Sequence, residues 1–215
     1  MVQIPAPHGH LEALLRESDD PPRGLAVVCH PHPLHGGTMH NKAVYRTAQA
    51  LNEAGFHTLR FNFRGVGAST GSYGEGIEEI DDVRAAIDWF TEAFPGLPVL
   101  VAGFSFGSMV GLRAGVDDDR VTALLGLGIP VALYEFEFLN RAGKPVHVIQ
   151  GERDEFGAGP EVQGVIDELD EGITLERIPE AGHFFHDHFE QLKEAVRRYV
   201  TDGAAADVFA VPESA

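Results

Sequence analysis

The chain is short of several residue types, and each shortage narrows what it can be. Cys29 is its one cysteine, so no intramolecular disulfide is available to hold the fold. It closes the apolar run Gly24-Leu25-Ala26-Val27-Val28-Cys29, which marks it as a small buried hydrophobe rather than a nucleophile. No run approaches the ~20 consecutive apolar residues of a membrane span. The amino terminus, Met1-Val2-Gln3-Ile4-Pro5, lacks the basic and then apolar regions of a signal peptide, so a cytoplasmic location is expected. Lysine is confined to Lys42, Lys144 and Lys193, and 16 basic residues face 33 acidic ones, for a net charge of -17. A surface so negative repels nucleic acid and anionic membranes, and neither is expected as a partner.

A length of 215 residues suits one domain, able to bury roughly 70% of its unfolded surface. There are no internal repeats and no interdomain linker. After an opening pair of strands, of which His10 to Glu17 is the clearer, apolar runs near Leu25, Thr58, Val99, Leu124, Val146 and Leu175 alternate with helical patterns near Tyr45, Val83, Met109, Val165 and Val196. That alternation predicts an α/β fold, a mostly parallel central sheet with helices on both faces. A helix over Ile77 to Phe90 places Ile77, Ile80, Val83, Ile87 and Phe90 at helical spacing, with Trp89 and Phe90 as packing residues. Residues 1–201 form the expected single domain. The small, acidic stretch 202–215 is expected to be disordered or loosely docked.

The most informative motif is Gly103-Phe104-Ser105-Phe106-Gly107, a G-x-S-x-G pentapeptide. The apolar run Leu97-Pro98-Val99-Leu100-Val101-Ala102 leads into it, and the helix-compatible stretch Ser108 to Ala114 leaves it. A nucleophile elbow needs this context, because side chains near the serine of so tight a turn collide unless they are hydrogen. Ser105 is the candidate nucleophile. The N–H of Phe106 points to where an acyl oxygen would become negative.

A serine hydroxyl needs a base, and the base a carboxylate that fixes its tautomer; elbow hydrolases supply them in the order serine, acid, histidine. The strand reading of Lys144 to Gln150 empties into Gly151-Glu152-Arg153-Asp154-Glu155, whose Asp154 is the candidate acid, with Glu152 and Glu155 as neighbours that compete for the role. Ile173 to Ile178 alternates as a half-buried strand does and runs into Pro179-Glu180-Ala181-Gly182-His183. His183 is the candidate base. His186 and His188 follow it into an expected helix, where solvent-facing roles suit them, and a zinc reading of His183, His186, Asp187 and His188 is the weaker one.

The second oxyanion donor is sought where the Leu25 run empties into His30-Pro31-His32-Pro33-Leu34-His35-Gly36-Gly37. Prolines have no N–H, which leaves His32 and Leu34 as the nearest donors; the His32 amide is preferred and Leu34 is the alternative. Histidines 30, 32, 35 and 40 read better as loop residues bonded to backbone than as metal ligands, given the proline spacing. No metal and no cofactor is called for.

With these residues in place, the chain resembles the α/β-hydrolase superfamily, and within it the small, lidless, dienelactone-hydrolase-like serine esterases. The residues that carry the likeness are His30-Pro31-His32-Pro33 with Gly36-Gly37 and Asn41-Lys42, Phe61-Asn62-Phe63-Arg64-Gly65-Val66-Gly67-Ala68-Ser69, the Gly103 to Gly107 elbow, Gly151 with Asp154, and Gly182-His183-Phe184-Phe185. They cover most of residues 24 to 186. The resemblance implies a triad of Ser105, Asp154 and His183, with the elbow and the histidine-proline loop forming the oxyanion hole. Dienelactone hydrolases proper use a cysteine where this chain has Ser105, which favours general ester hydrolysis over lactone opening.

Lids in this architecture are inserted after the strand that follows the elbow helix, and here only Ile129 to Gly143 separates Val121 to Leu127 from the next strand. An open site and no sizeable cap domain are expected. Tyr134, Phe136 and Phe138 are candidates for an apolar pocket wall, and Arg64 for contact with a polar acyl group, although packing roles compete for all of them. The expected reaction is hydrolysis of small or short-chain carboxylic esters by a monomer or homodimer. Thioesterase, peptidase and non-catalytic ligand-binding readings are the alternatives. The acid-rich, lysine-poor surface, including Asp117-Asp118-Asp119, resembles surfaces of proteins from salt-loving organisms. If carboxylate repulsion limits stability, Tm should rise with potassium chloride as the Debye length falls from ~10 Å at about 0.1 M to ~3 Å at about 1 M. The rise should continue well beyond about 0.5 M, and a Tm flat between about 0.1 and about 2 M, followed by circular dichroism, would exclude a salt-adapted surface.

Overall fold

The computed structural model describes residues 1–169 and 172–210. Its strands are β1 (Val2–Ala6), β2 (Gly9–Arg16), β3 (Gly24–Cys29), β4 (Phe56–Phe61), β5 (Val99–Phe104), β6 (Val121–Leu127), β7 (Val146–Gly151) and β8 (Ile173–Ile178). They form one sheet in the order β1-β2-β4-β3-β5-β6-β7-β8. The hairpin β1–β2 is antiparallel and β2 pairs antiparallel with β4; every other neighbour is parallel. Helices α1 (Lys42–Glu53), α2 (Glu79–Ala93), α3 (Phe106–Val116) and α4 (Gly159–Asp167) lie in the crossovers, α5 (Phe189–Thr201) follows the last strand, and together they cover both faces. Among the described residues no helix is long and apolar enough to cross a membrane.

The side-chain period of two decides which face each strand residue serves. Leu25, Val27 and Cys29 of β3 pack with Val83, Ile87 and Phe90 of α2 and Val110 and Leu112 of α3. Ala26 and Val28 face the other way, among Val44 and Leu51 of α1 and Leu192 and Val196 of α5. Strands β3 and β5 are buried at every position, as continuous apolar strands in the middle of a two-faced parallel sheet must be.

Two expectations need correction. Helix α2 begins at Glu79 and leaves out Ile77, which is 72% exposed. The buried Glu79 carboxylate accepts hydrogen bonds from the amides of Gly74 and Gly76, so the chain enters the helix through a turn that carries Ile77 outward. Nor is the segment after α5 loose over residues 202–210. Phe209 is buried edge-on against Phe56 at 4.8 Å, Arg23 Nε donates to the Phe209 carbonyl at 2.8 Å, and Ala205 is fully buried. An aromatic anchor outweighs the small, acidic composition around it. Residues 211–215 lie outside the described residues.

Two buried histidines brace the sheet. His147 of β7 shares a 2.7 Å hydrogen bond with the Thr174 hydroxyl of β8 and stacks on Tyr199 of α5 at 4.9 Å. His30, just past β3, bonds the Pro31 carbonyl at 2.6 Å and accepts from the Phe63 amide. Burial holds the pKa of each down to about 4. An unfolded histidine titrates near ~6.5, so between these values the unfolded chain binds more protons and stability falls as pH falls. Urea midpoints should therefore drop from about pH 7 to about pH 5, above the usual carboxylate range of ~4. The slope should be shallower in His147→Gln.

Candidate active site

Ser105 stands between β5 and α3 with φ 56° and ψ -123°, a conformation that costs an L-residue on the order of 1–3 kcal/mol. The surroundings hold it there. Its amide donates to the Leu127 carbonyl at the end of β6 at 2.9 Å, and its carbonyl accepts from Ser108 at 2.8 Å. A Cβ at Gly103 would strike the Gly107 carbonyl, and one at Gly107 would strike the backbone carbonyls of Cys29 and His30. The two glycines are thus required by close approach, not by torsion. Phe106 opens α3, where the first amides have no intrahelical acceptor.

The loops after β7 and β8 bring the other two candidates to the serine. His183 Nε2 lies 2.9 Å from Ser105 Oγ, and His183 Nδ1 lies 2.8 Å from Asp154 Oδ2. Both the imidazole and the carboxylate are buried. With the carboxylate accepting from Nδ1–H, the Nε2 lone pair faces the hydroxyl, which is the tautomer that can take its proton. Asp154 Oδ1 accepts from the Phe156 amide at 2.8 Å, and the Phe156 ring packs against the imidazole at 4.7 Å. Neither competing acid touches the imidazole. Glu152 faces Arg177, and Glu155 approaches only the His183 backbone amide, at 3.4 Å. His186 and His188 lie in turns ahead of α5 rather than in the helix, and His186 stacks on Phe184.

The loop after β3 leans over the elbow. His32 Nδ1 accepts from the Leu34 amide at 3.2 Å, which occupies the alternative oxyanion donor. Its Nε2 is 3.2 Å from the Tyr73 hydroxyl, and its ring packs on Phe106 at 4.9 Å. The turn uses the His32 carbonyl twice, as acceptor for the His35 and Gly37 amides, and no described backbone carbonyl accepts the His32 amide. Burial lowers the His32 pKa, so the ring is neutral at neutral pH.

Between these parts lies a cavity of about 200 Å³. Ser105, Phe106 and His183 form its floor, Pro31, His32 and Gly37 one wall, and Leu133, Tyr134, Phe156 and Phe184 the other. Residues 129–143 contribute a short 3-10 turn, Glu137–Arg141, and no lid. Tyr134 lines the cavity. Phe136 and Phe138 do not: both are buried in the core, where Arg113 covers Phe138, because the 3-10 turn rolls them inward against α3. Arg64 is not a cavity residue either. Its guanidinium is held by Asp82 at 2.8 and 3.1 Å and by Glu78. Tyr73, Leu133 and Gln150 carried no local signal, whereas Phe156 and Phe184 stand within two residues of Asp154 and His183.

Residues 21–129 match the family described as Serine aminopeptidase, S33. The chain is 32% identical over 208 residues to an uncharacterized protein of Rickettsia prowazekii, covering 93% of this chain and 87% of that protein. An alpha-beta serine hydrolase homologue from Coxiella burnetii is 34% identical, with a TM-score of 0.88 over 93% of this chain and 96% of that one. An a/b serine hydrolase without lid from Xanthomonas campestris is 35% identical, with a TM-score of 0.87 over 93% and 92%. The chain belongs to this family, and so to the α/β-hydrolase superfamily, in the arrangement without a lid.

Gln150, the fully buried penultimate residue of β7, ties the acid loop together. Its Nε2 donates to Asp154 Oδ2 at 2.9 Å and to the Gly157 carbonyl at 2.7 Å, and its Oε1 accepts from the Ile129 amide at 2.8 Å. Gln150→Leu takes the partner from the Ile129 amide and the Gly157 carbonyl, each buried group left unpaired costing roughly 1–3 kcal/mol, and removes one donor from Asp154, which keeps His183 and the Phe156 amide. Urea unfolding should show a loss of at least ~2 kcal/mol. A loss below about 0.5 kcal/mol would mean that water replaces the amide.

Proposed function

We propose that this protein is a serine hydrolase that cleaves carboxylic esters of small or short-chain acyl groups through an acyl-Ser105 intermediate. The observation that carries the reading is the continuous hydrogen-bonded row from Ser105 through His183 to Asp154, on the floor of a cavity where two amides are available. His183 takes the hydroxyl proton as Ser105 Oγ attacks the ester carbonyl, and Asp154 stabilises the imidazolium. The Phe106 and His32 amides hold the oxyanion. The imidazolium then protonates the departing alcohol. Water, deprotonated by His183, attacks the acyl-serine and releases the acid. The Coxiella and Xanthomonas relatives, described as serine hydrolases, support the class.

The family's description mentions an aminopeptidase, and the same machinery also suits amides and thioesters. One observation favours esters over amino-terminal peptides: among the described residues no aspartate or glutamate lines the cavity to receive an α-ammonium group. With no lid to bury a long chain at ~0.8 kcal/mol per methylene, acyl groups of roughly two to six carbons suit the site.

A series of 4-nitrophenyl esters tests the reading. Turnover should be greatest at short acyl length, Ser105→Ala and His183→Ala should lose kcat by on the order of 10⁶ while remaining folded, and Asp154→Asn by about 10⁴. Fluorophosphonate should label the wild type and not Ser105→Ala. Labelling that persists in Ser105→Ala would refute the nucleophile, and a rate that climbs steadily to long chains would refute the open-site reading.

A further inference from the structure

We propose that this site selects uncharged esters and turns away those whose acyl part carries a carboxylate. The inference rests on the ester-hydrolase reading above and gives its substrate class. Its first ground is the cavity lining, which among the described residues contains no lysine, arginine, aspartate or glutamate. An acyl carboxylate entering there exchanges water for aromatic faces, a phenol and imidazoles, with no cation to meet it. The His32 and Phe106 amides are no substitute, because the ester oxygen requires them.

The second ground is the fate of Arg64, the guanidinium that the sequence offers as an acyl contact. Arg64 sits in the loop after β4, yet its backbone amide, Nε and Nη2 all bond Asp82, and Nη1 bonds Glu78. Its side chain is almost wholly buried in that arrangement. Freeing it would strand the Asp82 carboxylate, which is itself fully buried, and breaking one side of a buried pair costs more than the pair contributes. The cation is committed to the fold.

The third ground is the sign of the charge that does lie near. Glu79, fully buried behind the wall, acts on both the His32 ring and the Tyr73 hydroxyl. Asp154 lies behind His183. A second anion in the cavity is repelled by both, in a chain of net charge -17.

The rim adds preference to exclusion. Leu133 and Phe184 line the cavity and are exposed, and Leu34 is exposed in the turn beside His32. Of the large apolar side chains exposed on the described residues, Met1, Tyr45 and Ile77 are the others. An apolar rim on so acidic a surface favours neutral, apolar ester groups.

The test compares dimethyl succinate with monomethyl succinate, which share a four-carbon acyl chain and differ in one charge. Acid release is followed by titration at neutral pH. Dimethyl succinate should have the higher kcat/KM by about tenfold or more, the factor that ~1.4 kcal/mol of repulsion carries. The gap should narrow in high salt, and Leu133→Arg should raise kcat/KM for monomethyl succinate relative to dimethyl succinate. About equal kcat/KM for the two esters in the wild type, or a preference for the monoester, would overturn the charge selection and leave the ester-hydrolase reading standing. Hydrolysis of neither would overturn both.

Discussion

Ser105 sits at φ 56° and ψ -123°, and a side chain is kept there only because the packing around it leaves no alternative. The elbow is pinned from three directions: β6 accepts the Ser105 amide, α3 begins at the next residue, and the β3 exit presses against Gly107 with no room for a Cβ. Relaxing any of them would lower the hydroxyl toward the sheet and turn the Phe106 amide away from the space above it. The strain is thus a condition of the site's geometry, and the buried central strands supply the rigidity that sustains it.

The acid side depends on a different device. Asp154 and His183 come from loops that follow adjacent parallel strands, so the β7–β8 pairing brings their ends side by side. That pairing leaves the angle of the carboxylate free. Gln150 and the Phe156 amide remove the freedom by engaging both of its oxygens, while Gln150 also ties the loop to Ile129 at the end of β6. The imidazole is correspondingly held by two rings, Phe104 tilted against it at 5.0 Å and Phe156 edge-on to it at 4.7 Å. Preorganisation here is mostly hydrogen bonding on the acid and mostly packing on the base.

Charge is distributed with the same economy. The surface is strongly acidic, yet the cavity is lined by neutral groups, and the buried charges near it are each matched to a specific donor set. Arg64 is the plainest case: its guanidinium is a structural tie between the loop after β4 and helix α2. The histidines of the β3 exit follow the same logic, since burial keeps His30 and His32 neutral and turns them into hydrogen-bonding hinges for backbone.

Much of this was legible along the chain because it is local. Alternating apolar runs announce strands and helices, the two glycines of the Gly103 to Gly107 motif betray a turn too tight for side chains, and chain order narrows the acid to the Glu152 to Glu155 loop, where only the structure shows that Asp154 meets His183. What could not be read depends on partners distant in sequence. Ile77 matches the helical spacing of α2 but is expelled by a Glu79 carboxylate that caps the preceding turn. Phe136 and Phe138 alternate like a pocket wall but roll into the core, whereas Tyr134, two residues earlier, stays at the cavity. Residues 202–210 look like a loose acidic tail until Phe209 finds Phe56, more than 150 positions away. By itself the sequence determined the order of elements and the chemistry each loop offers, because periodicity and turn sterics act over a few residues. Only the tertiary structure decided which side chains meet at the site, because burial and hydrogen bonding are settled by whatever the fold places opposite.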